Sequence, residues 1–269
     1  MRIAWSTAAT SAATGRASGK FATAPRPSAI SLSPASLRIA PSSQCSSVTE
    51  PAAFAALDRC RRARAAGLPV YVETRPLYLH LTRERFAEPD AAKYVGAPPL
   101  REESDRQALW AGLAAGDVDT LCSDHAAWTL EDKLDPALTA VTARQGVADL
   151  ETMLPMLYSE GVAAGRLSLD QFVELTSTNA ARIFGLYPRK GAIAVGSDAD
   201  IALWDPGHRR TIDGARMESL SGYSVYDGWQ VQGWPRLVLR RGQVVLADGE
   251  ITTRPGEGKW IRRGAAPPR

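Results

Sequence analysis

Short β-rich runs alternate with helical stretches between residues 50 and 187, and this order constrains the fold more than any other feature. Residues 51–66 are rich in Ala and Arg behind a first-turn proline, which predicts a helix. Residues 69–74 and 118–122 are short and β-rich and predict buried strands. A helix capped by Ser104 is predicted between them. This alternation predicts a parallel βα architecture, either a barrel or an open α/β sheet.

Apolar residues recur at helical spacing farther along this region. Leu150, Met153, Leu154 and Leu157 predict one helix, and a second is predicted to start at Ser168. Both stripes are interpreted as core.

The pattern changes after Leu186. Short strands are predicted at 201–204, 237–239 and 243–246, between Gly, Asp and Pro turns. Asp248-Gly249 predicts a tight turn between the last strands. We therefore expect an α/β unit at residues 51–187 and a small all-β module with a C-terminal tail at residues 188–269.

Residues 1–50 differ from the rest of the chain. Met1 to Thr49 contain no Asp or Glu and are crowded with Ser, Ala, Thr and Pro, without a helical or strand period. We interpret this as a low-complexity segment that is disordered and lacks a packed core. A transit segment and translation from a shifted reading frame are alternative interpretations, because the composition changes abruptly near Glu50.

Charge and cysteine content restrict the partners and the compartment. The net charge of +3, from 32 basic and 29 acidic residues, is too balanced to indicate nucleic acid or an acidic membrane. Arg59, Arg61, Arg62 and Arg64 are interpreted as a solvated helix face. Three widely spaced cysteines do not indicate a disulfide framework and favour the cytoplasm. No apolar run reaches the ~20 residues that a membrane-spanning helix needs.

Asp124 is the strongest candidate for chemistry. It follows the predicted strand ending at Cys122, which places it at the carboxyl end of a strand, where active-site residues of α/β barrels collect. A carboxylate there can bind a metal or exchange a proton. A cap for the next turn is the structural alternative.

A series of motifs resembles the dihydropyrimidinase and hydantoinase family of the amidohydrolase superfamily, over roughly residues 52–263. The motifs occur in the order and approximate spacing typical of that family. They are Val72 to Leu79, Pro98 to Arg101, Leu109-Trp110 with Gly112, Ser123 to His125, Leu157 to Val162, Thr176 to Ala181, Phe184 to Leu186, Arg189 to Gly191, Val195 to Ile201, and Trp204 to Pro206.

The resemblance implies a fold and a cofactor. Members of the family have a (βα)8 TIM-like barrel with two divalent metals, usually zinc, and a β-sandwich built from both ends of the chain. By this comparison the chain corresponds to the C-terminal part: the last two barrel strands, the closing helices and half of the sandwich. The barrel half that precedes these elements in the family has no counterpart, so we expect a truncated or frame-disrupted product.

The resemblance also implies site residues. In the family a metal-bridged hydroxide attacks the ring carbonyl, and an aspartate that ligates metal passes the proton to the leaving nitrogen; Asp124 matches this aspartate as catalytic residue and metal ligand. Main-chain groups near the Pro-Pro-Leu-Arg run bind substrate, which points to Ala97, where serine is more usual. Gln145 and Gly146 stand where Asn-Gly is often found and are the other predicted substrate contacts.

The family's other metal ligands have no recognisable match. The family uses four histidines and a carbamylated lysine, whereas this chain has His80, His125 and His208 only. We interpret all three as structural or exposed. A catalytic zinc needs about three protein ligands and an open position, so the chain by itself is not expected to retain zinc.

The resulting prediction is a hydrolase of C–N bonds in cyclic amides, of dihydropyrimidinase or hydantoinase type, inactive by itself. An allantoinase or dihydroorotase type remains open, as does a non-catalytic dihydropyrimidinase-like scaffold. Expected partners are a small cyclic amide and a second copy in a homo-oligomer, with neither nucleic acid nor membrane.

Overall fold

The computed structural model describes the backbone of Ile3–Trp5 and Ala29–Ser31 and the continuous stretch 52–264. These residues form two sheets and a layer of helices. The strands are β1 (Ile3–Trp5), β2 (Ala29–Ser31), β3 (Tyr71–Thr74), β4 (Thr120–Leu121), β5 (Ile201–Thr211), β6 (Gln230–Arg240), β7 (Gln243–Ala247) and β8 (Glu250–Ile251). The α-helices are α1 (Ala52–Ala65), α2 (Pro76–His80), α3 (Glu103–Ala114), α4 (Leu130–Leu134), α5 (Met153–Leu157), α6 (Leu169–Val173) and α7 (Asn179–Ile183).

The first sheet is parallel, in the order β2-β3-β4. Glu73 lies opposite Thr120, and Thr74 opposite Leu121. The prediction of a parallel α/β arrangement is confirmed by this sheet, although β4 is shorter than the strand predicted at 118–122. A closed barrel remains a prediction.

The second sheet is antiparallel, in the order β1-β5-β6-β7-β8. The predicted strands 201–204 and 237–239 lie within the longer β5 and β6. Asp248 and Gly249 both have positive φ, 47° and 91°, between β7 and β8, which confirms the predicted tight turn.

Six residues of the N-terminal segment form short strands, although the sequence there shows no strand period. Ile3–Trp5 pairs with β5, and Ala29–Ser31 pairs with β3. Pairing with strands that lie far along the chain thus overrides a local sequence that has no strand period. The predicted disorder of the other residues in 1–50 lies outside the described residues.

Two helical stretches are longer than a single α-helix. A π-helical turn at Tyr158–Ala163 continues α5, and another at Glu174–Thr178 joins α6 to α7. The predicted helix start at Ser168 is confirmed, since the Ser168 hydroxyl accepts a hydrogen bond from the Gln171 N–H in a capping box. The predicted cap at Ser104 is wrong, because α3 already begins at Glu103.

Two of the four arginines on α1 are not simply solvated, as predicted, but bind the segment before β4. The Arg61 guanidinium donates to Asp117 at 2.5 Å, and Arg64 pairs with Asp119. Arg64 also donates to the Val70 carbonyl before β3. These bonds hold α1 against the parallel sheet.

An aromatic cluster joins the helices to the antiparallel sheet. The ring centroids of Tyr158 and Trp204 are 5.3 Å apart, and Phe172 contacts both rings. Gly233 on β6 has φ 92° at the point where the Tyr158 ring packs, so a side chain there would meet both strain and overlap. The buried apolar residues of both regions therefore form one core. No helix among the described residues is long and apolar enough to cross a bilayer.

Replacing Gly214 by Ala should destabilise the fold by about 3 kcal/mol, because overpacking forces the backbone apart. A Cβ at Gly214 would overlap the main chain of Tyr223 and Ser224. Urea denaturation of the variant measures the change. Gly258→Ala is the matched control, since a Cβ there meets nothing within 4 Å. Equal stability of the two variants would contradict the packing.

Candidate functional site

The carboxyl edge of the parallel sheet carries a buried arginine beside the predicted catalytic aspartate. Arg75 comes directly after β3, and Asp124 lies three residues after the end of β4. Arg75 Nη1 lies 2.5 Å from Asp124 Oδ2. The side chain of Arg75 is 4% exposed, whereas that of Asp124 is 60% exposed. The carboxylate is thus held on its inner side by a fixed cation and faces solvent on the other.

Beneath Arg75 lies a second carboxylate, Asp149, which is fully buried. Arg75 Nη2 and Asp149 Oδ2 are 3.6 Å apart, beyond hydrogen-bonding distance. Burial raises the pKa of Asp149 to about 6, although the Arg75 charge opposes this shift. Both Asp149 oxygens and the Tyr226 hydroxyl have no hydrogen-bond partner among the described residues. The pair is therefore stabilised mainly by charge.

Burial also sets the pKa of the tyrosines around Arg75. Burial raises the pKa of Tyr78 to about 12, and the guanidinium of Arg75 lies 5.7 Å from the centre of its ring. Burial raises the pKa of Tyr226 well above its ordinary value, and the Asp149 charge raises it further. Neither phenol ionises near neutral pH, so Arg75 and Asp149 carry the charges beneath Asp124.

The predicted substrate-binding residues lie on two loops beside this edge. Ala97 and Gln145 are exposed, and Gly146 is buried with φ 96°. The Gly146 N–H donates to the Val95 carbonyl at 3.0 Å, which joins the two loops. A Cβ on Gly96 would lie 3.9 Å from Arg75 Nη1, so the first loop borders the arginine.

The second loop also contacts the segment that follows Asp124. His125 and Val147 form an isolated parallel bridge, and the Ala126 N–H donates to the Val147 carbonyl at 2.9 Å. The Trp128 indole N–H donates to the Gln145 carbonyl at 2.8 Å. The structure thus brings Asp124, Ala97, Gln145 and Gly146 into one region.

The three histidines do not gather at Asp124. His80 is buried against the rings of Trp110, Tyr226 and Trp229, with centroid distances of 5.8, 5.9 and 6.2 Å. His125 is exposed, and its Nδ1 accepts the Leu150 N–H at 3.2 Å. His208 is exposed within β5. The interpretation of these residues as structural or exposed agrees with their positions.

Cys122 is not a nucleophile candidate at this edge. Burial, together with the nearby charge of Glu73, raises the pKa of its thiol to about 12. The thiolate, which is the reactive form, is therefore scarce at neutral pH.

The site residues do not fit a metal centre of the kind the family implies. Within the described residues no group of three or more His, Cys, Asp or Glu side chains could hold a metal ion. Asp124 is instead paired with Arg75. A lone carboxylate that already has a cation partner is a poor ligand set for a divalent metal.

Comparison with known proteins identifies the family. The Amidohydrolase family matches residues 43–245. The chain belongs to the amidohydrolase family. It is 41% identical to a D-hydantoinase of Ralstonia pickettii over 210 residues, which cover 77% of this chain and 46% of that protein. It is 36% identical to a D-phenylhydantoinase of Escherichia coli O1:K1, over 77% of this chain and 45% of that one.

Solved structures agree with this relationship. A D-hydantoinase (dihydropyrimidinase) from Thermus sp. matches with a TM-score of 0.75 at 38% identity, over 77% of this chain and 46% of the other. An L-hydantoinase (dihydropyrimidinase) from Arthrobacter aurescens matches with a TM-score of 0.74 at 37% identity, over 80% and 47%. The resemblance to dihydropyrimidinases and hydantoinases is confirmed, and the chain spans about half the length of these relatives.

Sequence reasoning missed Arg75, Asp149 and Lys133. Arg75 could have been found, since it follows a predicted strand just as Asp124 does. Asp149 stands between Ala148 and Leu150, and Lys133 follows two acidic residues. Neither context predicts a buried charge, yet the two side chains are 0% and 2% exposed.

Replacing Arg75 by Met should lower the free energy of unfolding by about 3 kcal/mol, because it leaves the buried Asp149 without a cation. Asp124→Asn, at an exposed carboxylate, should change it by less than about 1 kcal/mol. The double variant Arg75→Met/Asp149→Asn should recover part of the loss. Urea denaturation measures the free energy of unfolding of the three variants. Additive effects of Arg75→Met and Asp149→Asn would argue against an interaction between Arg75 and Asp149.

His80 should make the fold sensitive to acid. Burial lowers its pKa to about 3, and the charges of Arg106 and Arg166 lower it further. The unfolded chain therefore binds a proton that the folded chain rejects, so stability is present above pH 6.5 and is lost as pH falls toward 3. Asp149, with its raised pKa, acts in the opposite direction between pH 3.8 and about 6.

The variant His80→Phe isolates the histidine contribution. Between pH 6 and 4 its unfolding free energy should fall less steeply than that of the original chain, by about 1.4 kcal/mol per pH unit. Denaturant titrations at several pH values measure both slopes. Identical slopes would show that His80 titrates normally in the folded chain.

Proposed function

We propose that the chain supplies the Asp124 half of the active site of a hydrolase that opens a C–N bond in cyclic amides such as hydantoins or dihydropyrimidines. The observation that carries this proposal is the meeting of Asp124 with the loops of Ala97 and Gly146 at the carboxyl edge of the parallel sheet. The relatives that match over this region are named hydantoinases.

In this proposal Asp124 is the acid–base group. Its exposed carboxylate can take a proton from an attacking oxygen and return it to the leaving nitrogen. Arg75 orients this carboxylate by binding Oδ2 and leaves the rest of the group open to solvent. Because Arg75 is itself buried and fixed, the geometry is set before substrate arrives.

The loops supply main-chain contacts to the ring amide. A cyclic amide presents alternating N–H and C=O groups. Main-chain groups at Ala97, the Gln145 N–H and the second lone pair of the Gly146 carbonyl can pair with them, whereas the Gly146 N–H is already bonded to Val95. Since these contacts use the backbone, the replacement of the usual serine by Ala97 is compatible with binding. The Gln145 side chain is exposed and is available for contacts that select the ring substituent.

A divalent metal such as zinc would need ligands in addition to Asp124. The described residues contain no cluster of three metal-binding side chains. We therefore propose that the chain by itself binds no stoichiometric metal and hydrolyses no cyclic amide.

A non-catalytic scaffold is the second candidate. The pairing of Asp124 with Arg75 favours it, because the carboxylate is satisfied without a metal. Within the enzyme class, allantoin and dihydroorotate present the same amide groups to the loops and remain alternative substrates. Homo-oligomer formation and a cytoplasmic location are further proposals.

A chimera tests the catalytic proposal. The part of Ralstonia pickettii D-hydantoinase that aligns with this chain is replaced by this chain's residues, and hydantoin, dihydrouracil, allantoin and dihydroorotate are assayed. We expect turnover of a hydantoin or dihydropyrimidine. Asp124→Asn should reduce it at least about 100-fold, since acid–base groups contribute roughly 100- to 10000-fold. The 269-residue chain should show no turnover and no stoichiometric zinc by elemental analysis.

The matched control is Asp248→Asn in the same chimera. Asp124 and Asp248 both have left-handed backbones, with φ of 44° and 47°, but Asp248 lies in the turn between β7 and β8. The control should retain full activity. A chimera that folds, binds metal and is inactive would favour the scaffold, and turnover by the 269-residue chain without other subunits would refute the proposed division of the site.

A further inference from the structure

A lysine buried beneath the two loops has three main-chain partners. Lys133 lies on α4 and is 2% exposed. Its Nζ donates to the carbonyl oxygens of Arg144 at 2.7 Å, Val95 at 2.8 Å and Gly146 at 3.0 Å. An ammonium group has three N–H donors, so all of them are used. Among the described residues Lys133 forms no ion pair with a carboxylate.

The three carbonyls belong to the two loops at the candidate site. Val95 lies two residues before Ala97, while Arg144 and Gly146 stand on either side of Gln145. The Val95 carbonyl accepts both the Lys133 ammonium and the Gly146 N–H. Lys133 thus bonds at once to both loops.

These bonds also fix the direction of main-chain N–H groups. A trans peptide is planar and its N–H points opposite to its C=O. The peptides that follow Val95, Arg144 and Gly146 are not among the cis bonds of the described chain. Each carbonyl held toward Lys133 therefore directs the next N–H, on Gly96, Gln145 and Val147, away from it.

A simple packing role does not account for Lys133. Burying an ammonium without a carboxylate is unfavourable, and burial, aided by the charge of Arg75, lowers its pKa to about 8. An apolar side chain of similar length would fill the space without this penalty. The local backbone is prepared for the lysine, since Thr129 and Asp132 form the capping box that starts α4 one turn before it.

We propose that Lys133 is a positioning residue whose ammonium group locks the loops of Ala97 and Gln145-Gly146 into one unit and thereby sets the main-chain contacts to the substrate ring. This rests on the proposed function for what the loops bind. The linkage of the two loops by Lys133 does not depend on what the loops bind.

Hydrogen exchange in the full 269-residue chain at pH 7 tests the lock in the variant Lys133→Ala. Two reporters are local: the Gly146 amide, bonded to Val95, and the Trp128 indole N–H, bonded to Gln145. The buried Trp110 indole N–H, bonded to Leu79, is the control. We expect exchange at both local reporters to rise at least about tenfold, the effect of losing roughly one charged hydrogen bond, with no change at Trp110.

Chemical rescue separates the ammonium from its volume. n-Propylammonium replaces the atoms removed in Lys133→Ala and should restore protection at Gly146 and Trp128. 1-Propanol, which has the same size without the charge, should not. Lys133→Met keeps the packing if the Ala variant fails to fold, and it should show the same local loss. Unchanged exchange in the Met variant, or equal rescue by 1-propanol, would overturn the proposal.

A separate experiment tests substrate binding independently of the role of Lys133. Hydantoin is added to the original chain, and slower exchange at the Gly146 amide would indicate binding at the loops. Absence of that protection counts against ring binding by this chain, and it leaves the result on Lys133 unaffected.

Discussion

The interaction on which the site depends is the burial of one guanidinium between two carboxylates. Asp149 is fully buried and needs a nearby cation, and Arg75 supplies it while also holding the exposed Asp124. One side chain thus links the interior of the fold to the carboxyl edge of its parallel sheet. The Arg75–Asp149 pair is shielded from water, so its position is fixed. Because Asp124 binds the same guanidinium, its carboxylate is fixed as well.

A second buried cation does the same for the neighbouring backbone. Lys133 gathers three carbonyls, as Arg75 gathers two carboxylates, and Gly96 lies between the two cations. The acidic group and the two loops are therefore held from below by positive charge. This arrangement fixes the positions of the polar groups at this edge of the sheet.

The two sheets depend on each other through the helices that lie between them. The Tyr158 ring packs against Trp204 of the antiparallel sheet, and Tyr226 of the same region packs against His80 at the end of α2. Tyr226 thus lies between His80 on one side and the buried charges of Arg75 and Asp149 on the other. The all-β module, although separate in sequence, helps to exclude water from the buried charges, and this strengthens their interaction.

The sequence by itself determined the order of the elements, the family resemblance and the place of Asp124. The hydrophobic period, the turn residues and the motifs from Val72 to Pro206 are local features of the sequence. They can be recognised without knowing which segments meet in the fold. The sequence did not reveal the short strands Ile3–Trp5 and Ala29–Ser31, whose pairing partners lie far along the chain.

Only the tertiary structure decided which charged residues are buried. Lys133 follows Glu131 and Asp132, and Asp149 lies in the loop before α5. Their roles depend on distant parts of the chain. Lys133 bonds to Val95, 38 residues away, and Asp149 pairs with Arg75, 74 residues away. Burial of a charge is a property of the assembled surroundings, so no local pattern encodes it.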